Sequence, residues 1–510
     1  MKKKHWSLPM KKNSYCTGLT VAALLFGSAA AYGNQPFSPA ESGVTEQPSR
    51  IEQLSTNEAI FSGKTGDPYL LAFRAYVWGY PLVEAAKIRM AHTNPDDPFV
   101  ERPQPSMAAA LNQLGHARRV MGPEFRHGVG VNNDTVYTVG WFDMSDEPWV
   151  LESPDFQDRY YTYSIYRSDS SAVDSIGQRT YGGKLPPVFL YGPNYQGAVP
   201  EGMLGIQVST RYLDLAGRVL ATGSEQDYAE VHRLQDQVRM RPYSAYLANK
   251  PAPRHAPDQI RLNAGVDKYD ESFRFYAQLG NVLRDWVAQP GEEDLIASLQ
   301  AINLSRDGFD TEGLDAASLD AMRKAAGDAQ RLITKKSLDL GVSNNGWTTN
   351  YIGSRFSDNY LLRAAVAKDQ IFVTIPEEAI YPIARTDSEG DPLRGCNVYR
   401  VSFESNNLPP ARGFWSVTLY NDQGYMIENS INRYSVGDRT SGLVAGAEGD
   451  VIIQLQHDEP QKGQQVNWLP TSAKEDFYLM MRLYIPKDEV LDRSWHPPAI
   501  ERVSEGCHAE

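Results

Sequence analysis

A chain of 510 residues exceeds what one hydrophobic core sustains, since single cores stop growing at roughly 250–300 residues, so two or three domains are expected. Hydrophobic residues at 41%, charged residues at 22%, 40 Gly and 32 Pro describe a globular, turn-rich protein and exclude a disordered one. A formal charge of −13 argues against nucleic acid or anionic lipid as the main partner.

The chain opens with Lys2, Lys3, Lys4, Lys11 and Lys12, followed by the apolar run TGLTVAALLFG and the small residues SAAAYG. Basic, apolar and small in that order is the secretory signal pattern, and the apolar run is shorter than the roughly 20 residues of a membrane span. Residues 1–33 are therefore expected to be a removed signal peptide, cleaved near Ala31 or Gly33, from an exported protein, periplasmic or secreted, without a membrane span. Loss of those five lysines takes the formal charge from −13 to −18. Cys396 and Cys507 then remain, and a disulfide or two free thiols are both open.

Residues 34–66 read as a polar tail rich in Pro, Ser and Gly. From Asp67 to His92 the apolar residues Leu70, Phe73, Val77, Tyr80, Val83 and Ile88 recur at helical spacing, with Gly79 and Pro81 expected to interrupt the helix, which is expected to lie on the first domain. A second helix is expected over Met107–Val120. Strand patterning follows at Val136–Phe142, Trp149–Leu151, Tyr160–Tyr166, Val188–Tyr191, Leu204–Ser209 and Arg218–Thr222, with Asp, Pro and Ser clusters between, as in a sandwich. Residues 225–340 turn helical in composition, and Phe273, Tyr276, Leu279, Leu283 and Trp286 form one apolar stripe, which is core patterning. Beyond residue 350 strands resume, clearest at Phe414–Tyr420, Val451–Gln456 and Phe477–Ile485, with a polar segment, Asn429–Arg439, between the first two.

Two sets of motifs are specific. NNDTVYTVGWFDMSDEPWVL, RYYTYSIYRSDSS and GQRTYGG resemble the DUF1254 domain, and NGWTTN, PEEAIYP, LPPARGFWSVTLY, NRYSVGDRT, NWLP and RLYIP resemble the DUF1214 domain. The resemblance covers roughly residues 70 to 500 and implies a mainly β fold with helical insertions: an N-terminal β-sandwich plus a C-terminal jelly-roll-like β-sandwich, often associated as homo-oligomers. The expected division is a DUF1254-like domain over 67–224 with leading helices, a helical connector or subdomain over 225–340, and a DUF1214-like domain over 341–510. Such a resemblance implies fold far more strongly than chemistry.

Common catalytic motifs fail on inspection. GVGVNN at Gly128–Asn133 lacks the third glycine of a dinucleotide fingerprint and precedes a strand instead of a helix. No GxSxG elbow or GxxxxGK[ST] loop occurs, the nine histidines are dispersed, and the cysteines lack zinc spacing, so no cofactor or metal is expected. Glu377 and Glu378 are adjacent and read as a charged turn.

The densest polar cluster beside a strand is Asn132, Asn133, Asp134 and Tyr137. Asn and Asp build turns through their own backbone, which explains the cluster without a function. The functional reading makes Asp134 an acid/base with Tyr137 nearby, the amides fixing a polar ligand, and Arg159 or Arg179 clamping an anion. In the second half Asn345, Trp347, Arg433, Asp438 and Arg439 suit a polyol or carboxylate, and equally suit loop-tying ion pairs. The sequence thus supports an exported protein that binds a small polar or anionic molecule, favoured as a metal-independent hydrolase or lyase, with a non-catalytic envelope carbohydrate-binding or scaffolding protein as the alternative.

Overall fold

A computed structural model describes residues 50–126, 128–446, 448–463 and 465–507; the expected signal peptide and the first part of the polar tail lie outside them. Among the described residues the fold is mainly β with helical insertions: two β-sandwiches and one helical cluster, each with its own apolar core.

In the first sandwich Thr135–Asp143 pairs with Tyr212–Leu220, which pairs with Tyr161–Arg167 and then Ala172–Gly177, all antiparallel, while the short Gly115–His116 strand closes the other edge. The facing sheet runs Leu204–Gln207, Val188–Tyr191, Trp149–Glu152, Arg239–Pro242. Val136, Phe142, Leu151, Tyr161 and Leu215 fill the space between, one from every second position as the strand period requires. The helix Glu225–Gln235 adds Tyr228, Val231 and Leu234 to this core.

The second sandwich sets a seven-stranded sheet centred on Phe477–Pro486 and Ala411–Asn421 against a four-stranded sheet of Trp468–Pro470, Val451–Gln456, Val398–Phe403 and Ile500–Ser504. Val401, Phe403, Trp415, Val417, Leu479 and Leu483 meet in its core. Cys396 and Cys507 are joined in a disulfide that ties the end of the chain to the loop before Val398–Phe403.

The helices depart most from expectation. Pro68–Thr93 is one continuous helix through Gly79 and Pro81. Gly79 is there for contact: a Cβ at that position would stand 2.4 Å from Leu279 Cδ2, in the stripe of the helix Glu271–Leu283. Helix Pro68–Thr93 packs mainly on Glu271–Leu283, Ala316–Ser337 and Tyr360–Asp369, reaching the first sandwich through Ala85, which meets Trp141 and Tyr212. Met107–Val120 forms turns and the Gly115–His116 strand, not a helix, because its backbone pairs with Thr138 and Val139 instead. Tyr360–Asp369 was not anticipated, since eight of its ten residues are buried and an all-round buried helix shows little amphipathic period.

Gly79→Ala is expected to destabilise the protein by about 1–3 kcal/mol, because fully buried Leu279 has no room to rotate away. In a Leu279→Ala background the same substitution should become neutral or stabilising, as alanine favours the helix; urea denaturation of the four proteins checks both.

Candidate functional site

Three central strands of the two large sheets are buried along nearly their whole length, so both of their faces are covered. On Tyr212–Leu220, Leu213, Leu215 and Val219 face the first core, which turns Asp214, Ala216 and Arg218 to the other side. On Phe477–Pro486, Phe477, Leu479, Met481 and Leu483 face the second core and Met480, Arg482 and Tyr484 turn away from it. These two outer faces meet across a cavity of about 150 Å³, whose walls include Tyr137, Asp214, Ala216, Arg218, Arg482 and Tyr484, with the segment Gln370–Val373 and Tyr381 completing it.

Loop 128–134 straps one sandwich to the other beside this cavity. Gly130 N donates to the Gly424 carbonyl at 3.0 Å; in turn the Gly130 carbonyl accepts from Arg482 Nη2 at 2.6 Å and the Val131 carbonyl from Tyr420 Oη at 2.6 Å. Gly130 has φ +62, the left-handed region glycine tolerates. Phe372 also has φ +61, where a bulky residue costs about 1–3 kcal/mol, and its carbonyl is thereby turned toward Tyr166 Oη at 2.8 Å and Arg218 Nη2 at 3.4 Å.

The cavity's charges are unevenly matched. Arg218, 8% exposed, makes two hydrogen bonds of 3.4 Å, to Ser164 Oγ and the Phe372 carbonyl, and lies over the Tyr137 ring at 5.6 Å. Arg482, 2% exposed, donates to Thr418 Oγ1 at 3.0 Å, Tyr420 Oη at 2.8 Å and the Gly130 carbonyl. Neither forms an ion pair with a described carboxylate. Asp214, 3% exposed, has an Oδ1 with no hydrogen-bond partner, and burial pushes its carboxyl up to about 8 against the pull of Arg218.

The residues nominated from sequence fall in three places. Asn132 and Tyr137 line the cavity, and the Asn132 amide donates to Tyr137 Oη. Asp134 and Arg439 form an ion pair at 2.6 Å across 305 residues; Ser416 Oγ at 2.7 Å and Tyr484 Oη at 3.3 Å bind the other oxygen of Asp134, so this group clasps the two sandwiches directly behind Tyr484. The rest are apart from the cavity. Asn133 donates to the Met121 carbonyl, Arg159 pairs with Asp227, and Arg179 pairs with Glu378. Asn345 and Trp347 donate to the carbonyls of Pro497 and Pro498, Arg433 donates to those of Gln465 and Trp468, and Asp438 accepts from Trp415 N.

Glu377 keeps its place in a charged turn, paired with Arg355 at the surface, but Glu378 corrects that reading. It is fully buried, accepts from Tyr160 Oη at 2.8 Å and Arg179 Nε at 2.9 Å, and burial raises its carboxyl despite both partners.

Asp214, Arg218, Arg482 and Tyr484 escaped the sequence reading, although a signal exists: LDLAGRVL and LMMRLYI each place single charges in apolar strands, at the parity opposite the core. In a strand with one wet face that parity is solvent; here it is a second interior. Among the described residues no group of three or more His, Cys, Asp or Glu side chains is placed to hold a metal ion, and no helix is long and apolar enough to cross a membrane.

Comparison with known proteins follows the same two-part division. The family model described as protein of unknown function DUF1254 matches residues 111–242, and that described as protein of unknown function DUF1214 matches residues 378–488. No curated protein matches the sequence. Among solved structures, the VPA0106 protein from Vibrio parahaemolyticus is 23% identical with a TM-score of 0.61, covering 86% of this chain and 100% of its own, which shows a shared fold. A putative uncharacterized protein from Burkholderia cenocepacia is 12% identical with a TM-score of 0.37, covering 89% and 93%. Both family models match in order, one on each sandwich, so the chain carries a DUF1254 region followed by a DUF1214 region.

Proposed function

We propose that this protein binds a small anionic molecule in the cavity between its sandwiches, with Arg218 recognising the charge. The observation that carries the reading is a buried arginine whose hydrogen bonds to Ser164 Oγ and the Phe372 carbonyl are long, with the neutral Tyr166 phenol as a further partner and no ion pair to a described carboxylate, set in a cavity wall. A guanidinium offers five donors, and its desolvation is offset by an anion or by a dense ring of acceptors. Arg482 has such a ring; Arg218 does not. A carboxylate or phosphate between the two arginines supplies the missing acceptors in the fork geometry that arginine favours. Export fits this reading: the leader has the secretory pattern, and the Cys396–Cys507 bridge is a bond that persists in oxidising compartments.

One observation favours hydrolase or lyase chemistry at the same site. Both oxygens of Asp134 are engaged, whereas Asp214 faces the cavity with its carboxyl held protonated to about 8, as a general acid needs. In this reading proton transfer moves from Asp134 to Asp214, with Tyr137 in the same wall.

Thermal shift of the full chain against a library of small carboxylates and phosphates tests the binding function. The wild type is expected to melt higher with at least one anion, and Arg218→Met to bind it roughly 10- to 100-fold more weakly, the worth of hydrogen bonds to a charged group. Without ligand, Arg218→Met should melt no lower than wild type, because it removes a buried charge lacking a counter-charge. Equal responses from the two proteins, or none from the wild type, would refute the assignment.

A further inference from the structure

Building on the reading that this cavity holds an anion, we infer that its ligand is a carboxylic acid with one aromatic ring or an equally compact apolar body, and a hydroxyl or carbonyl oxygen at the end away from the carboxylate. The two polar ends of the site lie on one face of one strand. Arg218 and Asp214 are four residues apart on Tyr212–Leu220, roughly 13 Å along an extended chain, and Ala216 between them leaves the intervening space open. Val139, Phe372 and Met480 give that space apolar wall beside its polar residues. The volume of about 150 Å³ is that of a cavity which takes a benzene-sized guest.

The far end is polar and unsatisfied. Asp214, in the cavity wall, has an Oδ1 with no hydrogen-bond partner. Asp214 is more than nine-tenths buried, so the missing bond is costly. A neutral hydroxyl or carbonyl oxygen accepts from the protonated carboxyl there, the form that burial of Asp214 favours up to about 8. A second carboxylate would instead have to lose its water beside apolar side chains such as Val139 and Phe372, with Arg218 four residues away along the strand.

Isothermal titration of the full chain with 4-hydroxyphenylacetate, phenylacetate, 2-phenylethanol and glutarate tests this. The hydroxy acid is expected to bind tightest and phenylacetate roughly 5- to 15-fold more weakly, one hydrogen bond less. The neutral alcohol and the dicarboxylate should each fall at least about 30-fold below it, lacking the charge-assisted fork or facing Asp214. Asp214→Leu should erase the preference between the two aromatic acids while phenylacetate still binds, and Arg218→Met should weaken both acids alike. Should Asp214→Leu fail to fold, Asp214→Asn, which keeps a hydrogen-bonding group, should retain the preference, and Ala216→Phe, which fills the cavity, should block both acids. Glutarate binding in place of the aromatic acids would overturn the ligand class and leave an anion site standing. An unaltered preference in Asp214→Leu would overturn the ligand's orientation. No response to any anion, in this set or in the wider library, would overturn both readings.

Discussion

Asp169→Ala is expected to lower stability by about 3–5 kcal/mol, the cost of leaving a buried charge without its partner. Asp169 has no exposed surface and accepts from Arg363 Nη1 at 2.6 Å, Arg167 Nη2 at 2.7 Å and Ser171 N at 3.0 Å. Arg363, 1% exposed, sits on the helix Tyr360–Asp369 and has Glu292 at 3.8 Å as its other acid. The cluster therefore joins the end of a first-sandwich strand to the helical core, and without Asp169 two arginines compete for what remains. Double replacement, Asp169→Ala with Arg363→Met, should recover part of the loss, since both charges then go.

The same carboxyl sets an acid limit. Burial alone would raise it, but Arg167 and Arg363 overcome that and hold it at about 2. A depressed folded value means the contribution is complete above the unfolded value near 4 and is lost as pH falls toward 2. Urea denaturation at pH 7 and at pH 3 should thus show the gap between wild type and Asp169→Ala narrowing at the lower pH.

Asp214→Asn is expected to act in the opposite direction, making the protein more stable at pH 8 by on the order of 2–4 kcal/mol. Burial raises the Asp214 carboxyl to about 8 in the folded chain. Between about pH 4 and pH 8 the folded state then holds a proton that the unfolded state has released, so wild-type stability falls as pH rises through that window. Asparagine does not titrate, and the difference between the proteins should shrink toward pH 4. A wild-type stability curve with the same slope as the variant between pH 5 and 8 would show that Asp214 is ionised in the folded protein.

Much of the β structure was legible because strands advertise themselves by composition. Val188–Tyr191 and Val451–Gln456 were read to the residue, and Phe414–Tyr420 and Phe477–Ile485 lie inside strands slightly longer at their ends. The helices were less legible where local chemistry and packing disagreed. Gly79 and Pro81 are helix breakers by propensity, yet tertiary burial of Trp78, Leu82 and Val83 holds the helix through them. Trp347 suits a polyol by its place beside amides in the sequence; packed at 1% exposure with Nε1 on the Pro498 carbonyl, it is a core residue with a satisfied donor.

Asp134 illustrates the limit for the site. Its turn with Asn132 is local, and Asn132 Oδ1 indeed accepts from Asp134 N at 2.9 Å and Thr135 N at 2.8 Å. Its partner Arg439 lies 305 residues away, and no spacing rule reaches that far.

From the sequence alone came the strand-rich halves, the family resemblance each carries and, through strand alternation, which side chains share a face. What covers that face was decided only in three dimensions. Period two separates Arg218 from Leu215, but it is the docking of one sheet's back on another that turns a wet surface into an interior and buries the Arg218 guanidinium without an ion pair to a described carboxylate.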